Sequence, residues 1–187
     1  MLTAGTFSRI LVPTDFSSGS EKAWALAQRV ATAVGAELVL LHVLRMTPLD
    51  VEARLAGEER QAALRALQAE HQLGIPRAGA EPAPAPHVFE GPLTGDALSE
   101  FSAAGREWAL MLEGWAATAR AGGCKVQTVL RVGVPYREVV AAAKDERADL
   151  VLLATHGRGE VHRLLVGSVA DRVIRMAPCP VLTVKEA

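Results

Sequence analysis

The sequence feature that most constrains the fold of this chain is a short apolar run followed directly by a glycine-rich loop. Residues 150–153, Leu-Val-Leu-Leu, have the composition of a strand that is buried on both faces of a parallel sheet. The next residues, 154–159, are mostly small or polar, and a helix is predicted to begin near Gly167 and Ser168. Glycine leaves no side chain between a ligand and the unsatisfied N–H groups of a helix amino terminus. The pattern therefore predicts an anion site of the kind that holds a phosphate.

Apolar strands alternate with helices along most of the chain. Helices are predicted from about 20 to 33, from 136 to about 146 and from 162 to 176, and strands at 10–12, 38–43, 125–132, 150–153 and 181–184. This alternation predicts an α/β fold with a parallel sheet and helices on both faces. The third strand alternates polar and apolar residues, which indicates an edge strand. We therefore predict a doubly wound five-stranded sheet in the order 3-2-1-4-5, in which strands 1 and 4 flank the ligand crevice.

The chain is predicted to form one domain, residues 1–187, with an inserted segment at about 48–122. Residues 51–73 look helical, and residues 74–95 hold five of the ten prolines, which predicts a flexible, extended link. A further helix follows, capped by Asp96 and ended by Gly122 and Gly123. Its apolar stripe runs from Leu98 to Trp115 and favours core packing over a binding surface.

Charge and cysteine content exclude several classes of function. The 20 Lys and Arg residues are balanced by 21 Asp and Glu residues, so no basic field exists to hold nucleic acid or a membrane surface. The two cysteines lack the spacing of a zinc site or disulfide framework. The first residues do not resemble a secretion signal, and no apolar run approaches the ~20 residues that span a bilayer. We predict a cytoplasmic protein with small-molecule or protein partners.

The sequence motifs of several enzyme classes are missing. The chain has no P-loop, and Gly167-Ser168 lacks the second glycine of a nucleophile elbow. His156 and His162 are six residues apart, which is not the spacing of a helical zinc site. We therefore predict no catalytic residues and no metal ligands.

At its strand ends and loops the chain resembles the universal stress protein family, in its nucleotide-binding branch. Residues 9–16, Arg-Ile-Leu-Val-Pro-Thr-Asp-Phe, are similar to the family's first strand and acidic loop, and residues 133–135, Gly-Val-Pro, to a later turn. The family pattern is Gly-x-x-Gly, nine residues, then Gly followed by Ser or Thr. Gly157 and Gly167 keep the nine-residue gap and Ser168 keeps the hydroxyl, whereas Ala154 replaces the first glycine.

The resemblance implies an adenine nucleotide alpha hydrolase-like fold that binds ATP, with or without Mg²⁺, as a regulatory ligand in a stress response. Hydrolysis would be slow or absent. It also implies a homodimer that forms through the strand Val181–Val184, whose apolar edge invites pairing with a second copy. The nucleotide-binding residues that it implies are Pro13, Thr14, Asp15, Val43, Ala154, Thr155, His156, Gly157, Arg158, Gly159, Gly167, Ser168 and Val169.

Several of these residues have more than one interpretation. The Asp15 carboxylate can accept hydrogen bonds from ribose hydroxyls or an adenine amino group, or it can cap the following helix. The resemblance implies that the backbone of Val43 recognises adenine. His156, Arg158 and Ser168 can donate to phosphate, although an arginine such as Arg158 is also common on solvated surfaces.

Two other functions remain open. The chain could be a dimeric interaction module of the same fold that binds no nucleotide, with Ala154 marking a lapsed site. Its inserted segment would then contact an unidentified protein partner. It could also be an enzyme that cleaves ATP or transfers a nucleotidyl group.

Overall fold

A single mixed sheet organises the protein. The computed structural model describes residues 6–45, 88–90, 103–155 and 167–185. Within these ranges the strands are β1 (Arg9–Thr14), β2 (Glu37–Arg45), β3 (Val88–Glu90), β4 (Val126–Gly133), β5 (Leu150–Ala154) and β6 (Val181–Val184). They lie in the order β3-β4-β2-β1-β5-β6.

The five predicted strands are confirmed in type and order. β4, β2, β1, β5 and β6 pair in parallel, which is the predicted order 3-2-1-4-5. The prediction that β4 is an edge strand was wrong, because β3 pairs with it in antiparallel fashion from Val88↔Arg131 to Glu90↔Val129. The polar residues of β4 do not mark a solvent-exposed edge, because one of them, Arg131, is only 1% exposed.

Four helices connect these strands in the described part of the chain: α1 (Ser18–Val34), α2 (Ala103–Ala121), α3 (Pro135–Asp145) and α4 (Ser168–Met176). Ser17 caps α1, and Gly35 ends it with a φ of 79°, a conformation that favours glycine. α3 begins on a proline, whose missing N–H costs nothing in the first turn.

The last helix begins at Ser168, which confirms the start predicted near Gly167 and Ser168, whereas the alternative start at residue 162 was wrong. Gly167 is the non-helical N-cap of α4, with φ of −59° and ψ of 151°, and its carbonyl accepts the first helical hydrogen bond from Asp171. Helical geometry therefore begins at Ser168, and residues 156–166 lie outside the described ranges.

Alternate side chains of the strands build a separate core on each face of the sheet. Ile10 and Val12 pack on the face covered by α1 and α2, whereas Leu11 packs on the face covered by α3 and α4. The predicted role of the α2 stripe is confirmed, because Leu112 is fully buried and Trp108, Met111 and Trp115 pack against the first core. Asp96, Leu98, Phe101, the predicted helix at 51–73 and the predicted link outside β3 lie outside the described residues.

None of the helices in the described ranges combines the length and the apolar content that crossing a membrane requires.

Candidate functional site

The loops that follow β1 and β5 meet at the carboxyl edge of the sheet. These two strands are parallel neighbours, with Ile10 beside Leu150 and Leu11 beside Val151. Continuing that register by three residues places Thr14 beside Ala154. The topology thus brings the candidate residues Pro13, Thr14 and Asp15 to the same edge as Ala154 and Thr155, at the point where the winding of the sheet reverses.

Asp15 organises the first of these loops. Its Oδ1 accepts hydrogen bonds from the Ser17 backbone N–H at 3.1 Å and from the hydroxyls of Ser17 and Ser20, each at 2.6 Å. The cap of α1 is Ser17, not Asp15, because the Ser17 side chain accepts from the Ser20 N–H. Asp15 therefore supports the residue that caps the helix, and its carboxylate is held in a fixed orientation at the edge of the sheet.

An aromatic cluster packs against the same loop. Phe16 has a φ of 60°, which is unusual for a bulky residue. Its ring stacks on Trp108 at 5.5 Å between centroids and meets the edge of Trp115 at 5.1 Å. His42 packs at 4.9 Å from Phe16 and hydrogen bonds through Nδ1 to the Thr14 carbonyl at 2.8 Å. These contacts tie the Asp15 loop to β2 and α2.

The amino terminus of α4 forms the second part of the site. The Gly167 N–H donates to the Thr155 carbonyl at 2.7 Å, and the Thr155 N–H donates to the Val184 carbonyl at 2.9 Å. This chain of bonds fixes α4 against the ends of β5 and β6. The N–H groups of the first turn of α4 point out of the helix end, and the helix dipole places partial positive charge there.

Val43 and Ala154 lie on opposite faces of the sheet. Val43 stands one residue beyond the last β1–β2 pair, Thr14↔His42, and packs at the margin of the core under α3 and α4. The Ala154 side chain packs against the other core, under α1 and α2. Its methyl group is therefore on the face of the sheet opposite to α4.

The remaining phosphate candidates, His156, Gly157, Arg158 and Gly159, lie outside the described residues. Their roles stay predictions from the sequence. Within the described ranges, no three His, Cys, Asp or Glu side chains come together as a metal site.

Sequence reasoning missed two arrangements on the face covered by α3 and α4. Tyr136, the second residue of α3, has the guanidinium of Arg172 over its ring, 4.8 Å from the centroid. The only sequence signals for this contact are the position of Tyr136 directly after Pro135 and the spacing of Arg172 four residues after Ser168.

The second arrangement is a buried ion pair beside Val43. Arg131, the neighbour of Val43 in the β2–β4 register, lies 3.8 Å from Glu138 and 2.8 Å from Asp145, both on α3. The pKa of Glu138 is raised from 4.5 to about 7: burial is the largest cause and Asp145 adds to it, while Arg131 and Arg137 oppose the increase. The alternation of β4 gave no sign that helix α3 covers Arg131.

Comparison with known proteins adds independent information. Residues 6–185 match the model of the universal stress protein family. Universal stress protein MJ0531 of Methanocaldococcus jannaschii is 28% identical, over 96% of this chain and 83% of its own length. Universal stress protein MJ0577 of the same organism is 28% identical, over 96% of this chain and 95% of its own length.

Solved structures show the same fold. The structure of MJ0577 superposes with a TM-score of 0.62 at 25% identity and covers 96% of both chains. A universal stress protein solved in complex with cAMP superposes with a TM-score of 0.57 at 21% identity, covering 98% of this chain and all of the other. The Archaeoglobus fulgidus universal stress protein in complex with dAMP superposes with a TM-score of 0.50 at 19% identity, covering 95% of this chain and 98% of the other.

Proposed function

The chain belongs to the universal stress protein family, and from that premise we propose that it binds an adenine nucleotide, ATP, as a regulatory ligand in a stress response. The observation that carries the proposal is the β1–β5 pairing. It brings an oriented carboxylate, Asp15, and the glycine-capped amino terminus of α4 to one edge of the sheet. The nucleotide is proposed to act as a signal, with slow hydrolysis at most.

The groups at the carboxyl edge of the sheet suit the nucleoside end and the phosphate end of an adenine nucleotide. A carboxylate accepts hydrogen bonds from ribose hydroxyls or an amino group, which suits Asp15 at the nucleoside end. Backbone N–H groups and the positive end of a helix dipole suit phosphate, so Ser168 and Val169, the first residues of α4, are proposed to lie at the other end. The N–H of Gly167 is bonded to Thr155, and Gly167 is proposed to contribute by carrying no side chain that would block the approach. The backbone of Val43 is proposed to contact adenine, next to the β1 loop.

Relatives support the ligand class. One universal stress protein of the same fold was solved with cAMP and another with dAMP, and both ligands are adenine nucleotides. We extend that class to this chain because its family is the same, and the position of Asp15 and of the α4 amino terminus at one edge of the sheet supports the extension. A triphosphate rather than a monophosphate, and a role for Mg²⁺, are the finer parts of the proposal.

The direct test begins with the protein as purified. Denaturing it and chromatographing the supernatant reveals any adenine nucleotide that it retains, and calorimetric titration of nucleotide-free protein with ATP, with and without Mg²⁺, measures affinity. Retained or titratable ATP supports the proposal. Saturating ATP with no heat and no shift in unfolding temperature contradicts it and favours the interaction module. AMP or pyrophosphate released over many turnovers favours an ATP-cleaving enzyme.

A variant tests the location of the site. Gly167→Val adds a side chain in front of the first turn of α4 at a φ that valine tolerates, so ATP affinity should fall by about tenfold or more while the fold survives. Gly114→Val is the matched control, because a Cβ at the exposed Gly114 of α2 meets no atom within 4 Å. Equal affinity of the two variants for ATP would refute the placement of the phosphates at α4.

The same proposal includes a homodimer and a cytoplasmic location. β6 is the last strand on its side of the described sheet, and Leu182 on this strand is 40% exposed. An apolar strand with one open edge can pair with the same strand of a second copy. An unidentified protein partner is also proposed, and in the alternative interaction module the inserted segment would contact it.

A further inference from the structure

Tyr136 and Arg172 join the amino-terminal ends of α3 and α4. The Tyr136 ring is buried, with 3% exposure, and the guanidinium carbon of Arg172 lies 4.8 Å from its centroid. A cation at this distance from an aromatic face is attracted to it. Because the ring is fixed in the core, it restrains the position of the Arg172 charge.

The topology places that charge at the carboxyl edge of the sheet. α3 follows β4 and α4 follows β5, so both helices begin at this edge, where Tyr136 and Ser168 lie. Arg172 is one helical turn beyond Ser168, and side chains on a helix lean toward its amino terminus. The guanidinium thus leans from the second turn of α4 toward the end where phosphate is proposed to bind.

Further charged side chains lie beside the Tyr136–Arg172 pair in the described part of the chain. Asp171, the acidic residue in the first turn of α4, is engaged by Arg175 through two hydrogen bonds of 3.0 and 3.1 Å. Arg137 lies 5.8 Å from the Tyr136 centroid and donates from Nε to the Tyr136 hydroxyl oxygen at 2.9 Å. Two arginines therefore flank one buried ring beside the start of α4.

We propose that Arg172, held by Tyr136, determines nucleotide specificity by contacting the phosphate tail. This inference rests on the proposed function and deepens it. The charge of the tail increases from adenosine through AMP to ATP, so a fixed guanidinium favours ATP and ADP over adenosine and over cAMP, whose single phosphate carries one charge. The helix amino terminus binds any of these phosphates, and Arg172 adds the preference for the more highly charged ones.

The test is a calorimetric titration of the full chain with ATP, ADP, cAMP and adenosine at fixed ionic strength. Losing a hydrogen bond to a charged group should weaken ATP binding to Arg172→Gln by about tenfold, with little change for adenosine. Arg147→Gln is the matched control, because Arg147 is exposed at the opposite edge of the sheet, before β5. It removes the same charge and should leave every affinity within about twofold of wild type, since exposed charges at that distance are screened.

A second pair of variants tests the role of the ring. Tyr136→Phe keeps the aromatic face and should keep the preference for ATP, whereas Tyr136→Leu removes the aromatic face and should reduce that preference. The unfolding temperatures of all variants are measured. If Tyr136→Leu does not fold, the single variants Tyr136→Phe and Arg172→Gln test the proposal.

The outcomes separate this inference from the proposed function. If wild type binds no ATP, the proposed function is wrong and the inference falls with it. If wild type binds ATP and Arg172→Gln binds it equally well, or loses adenosine to the same degree, only the inference is wrong. A loss confined to the phosphorylated ligands and largest for ATP supports both.

Discussion

Glu138 gives this protein a measurable pH dependence near neutrality. The carboxyl group is buried between α3 and β4, where Arg131 lies 3.8 Å away without forming a hydrogen bond to it. Burial, assisted by Asp145, raises the pKa of Glu138 from 4.5 to about 7, against the opposing effects of Arg131 and Arg137. The folded state therefore favours the protonated carboxyl more strongly than the unfolded state does.

The sign and size of the effect follow from linkage. A folded-state pKa above the unfolded value means that the stabilising contribution is complete below pH 4.5 and is lost as the pH rises through about 7. One pH unit of difference corresponds to about 1.4 kcal/mol, so the free energy of unfolding should fall by up to about 3 kcal/mol by pH 8 because of this one group. Most of that loss lies between pH 5 and pH 8.

The assay compares urea unfolding of wild type and Glu138→Gln at several pH values from 5 to 8, followed by tryptophan fluorescence. The difference between their unfolding free energies should change by about 2.5 kcal/mol across the range, because part of the loss has already occurred by pH 5, and the contributions of the histidines cancel in this difference. Asp145→Asn provides the control: because Asp145 raises the pKa of Glu138, its removal should shift the transition to lower pH. Parallel stability curves for wild type and Glu138→Gln would refute the reasoning.

Two further predictions concern packing and assembly. Gly133→Ala should destabilise the fold by about 1–3 kcal/mol, because Gly133 has a φ of 156° and an added Cβ would lie 2.6 Å from Glu138 Oε1. Gly114→Ala, at an exposed position of α2, should instead stabilise the fold by about 0.5–1 kcal/mol. Thermal unfolding that ranks the two variants the other way would contradict both arguments. Leu182→Arg should convert a dimer to a monomer in light scattering, because it places a charge on the exposed strand β6, and a wild type that is monomeric at the same concentration would rule out that interface.

The order of the five parallel strands was predictable because the apolar composition of most of these strands indicates how much of each strand is buried. Runs such as residues 150–153 have no polar position, so they require cover on both faces, and the right-handed crossovers of parallel strands leave few topologies. β3 was not predictable in this way. Its three residues belong to a proline-rich segment, and they pair with β4 through backbone groups that carry no sequence signal.

The candidate site was predictable only in part, for a related physical reason. Asp15 and Gly167 follow apolar strands that become neighbours, so the topology was enough to bring their loops together. The contact between Tyr136 and Arg172 depends on how α3 packs on α4, and the burial of Arg131 depends on how α3 covers β4. Packing between elements distant in sequence leaves no pattern in either element alone.

Ala154 shows why a motif and a site can give different answers. In the family pattern this position is a glycine, and an alanine there counts against nucleotide binding because it adds a methyl group near the predicted phosphate loop. In the strand, side chains alternate between faces, and that of Ala154 packs with the core under α1 and α2. The amino terminus of α4 lies on the opposite face, where Leu153 is the neighbouring strand side chain. A substitution obstructs backbone N–H groups only if its added atoms point toward them, so we expect the methyl group of Ala154 to leave the proposed phosphate site at the α4 amino terminus open.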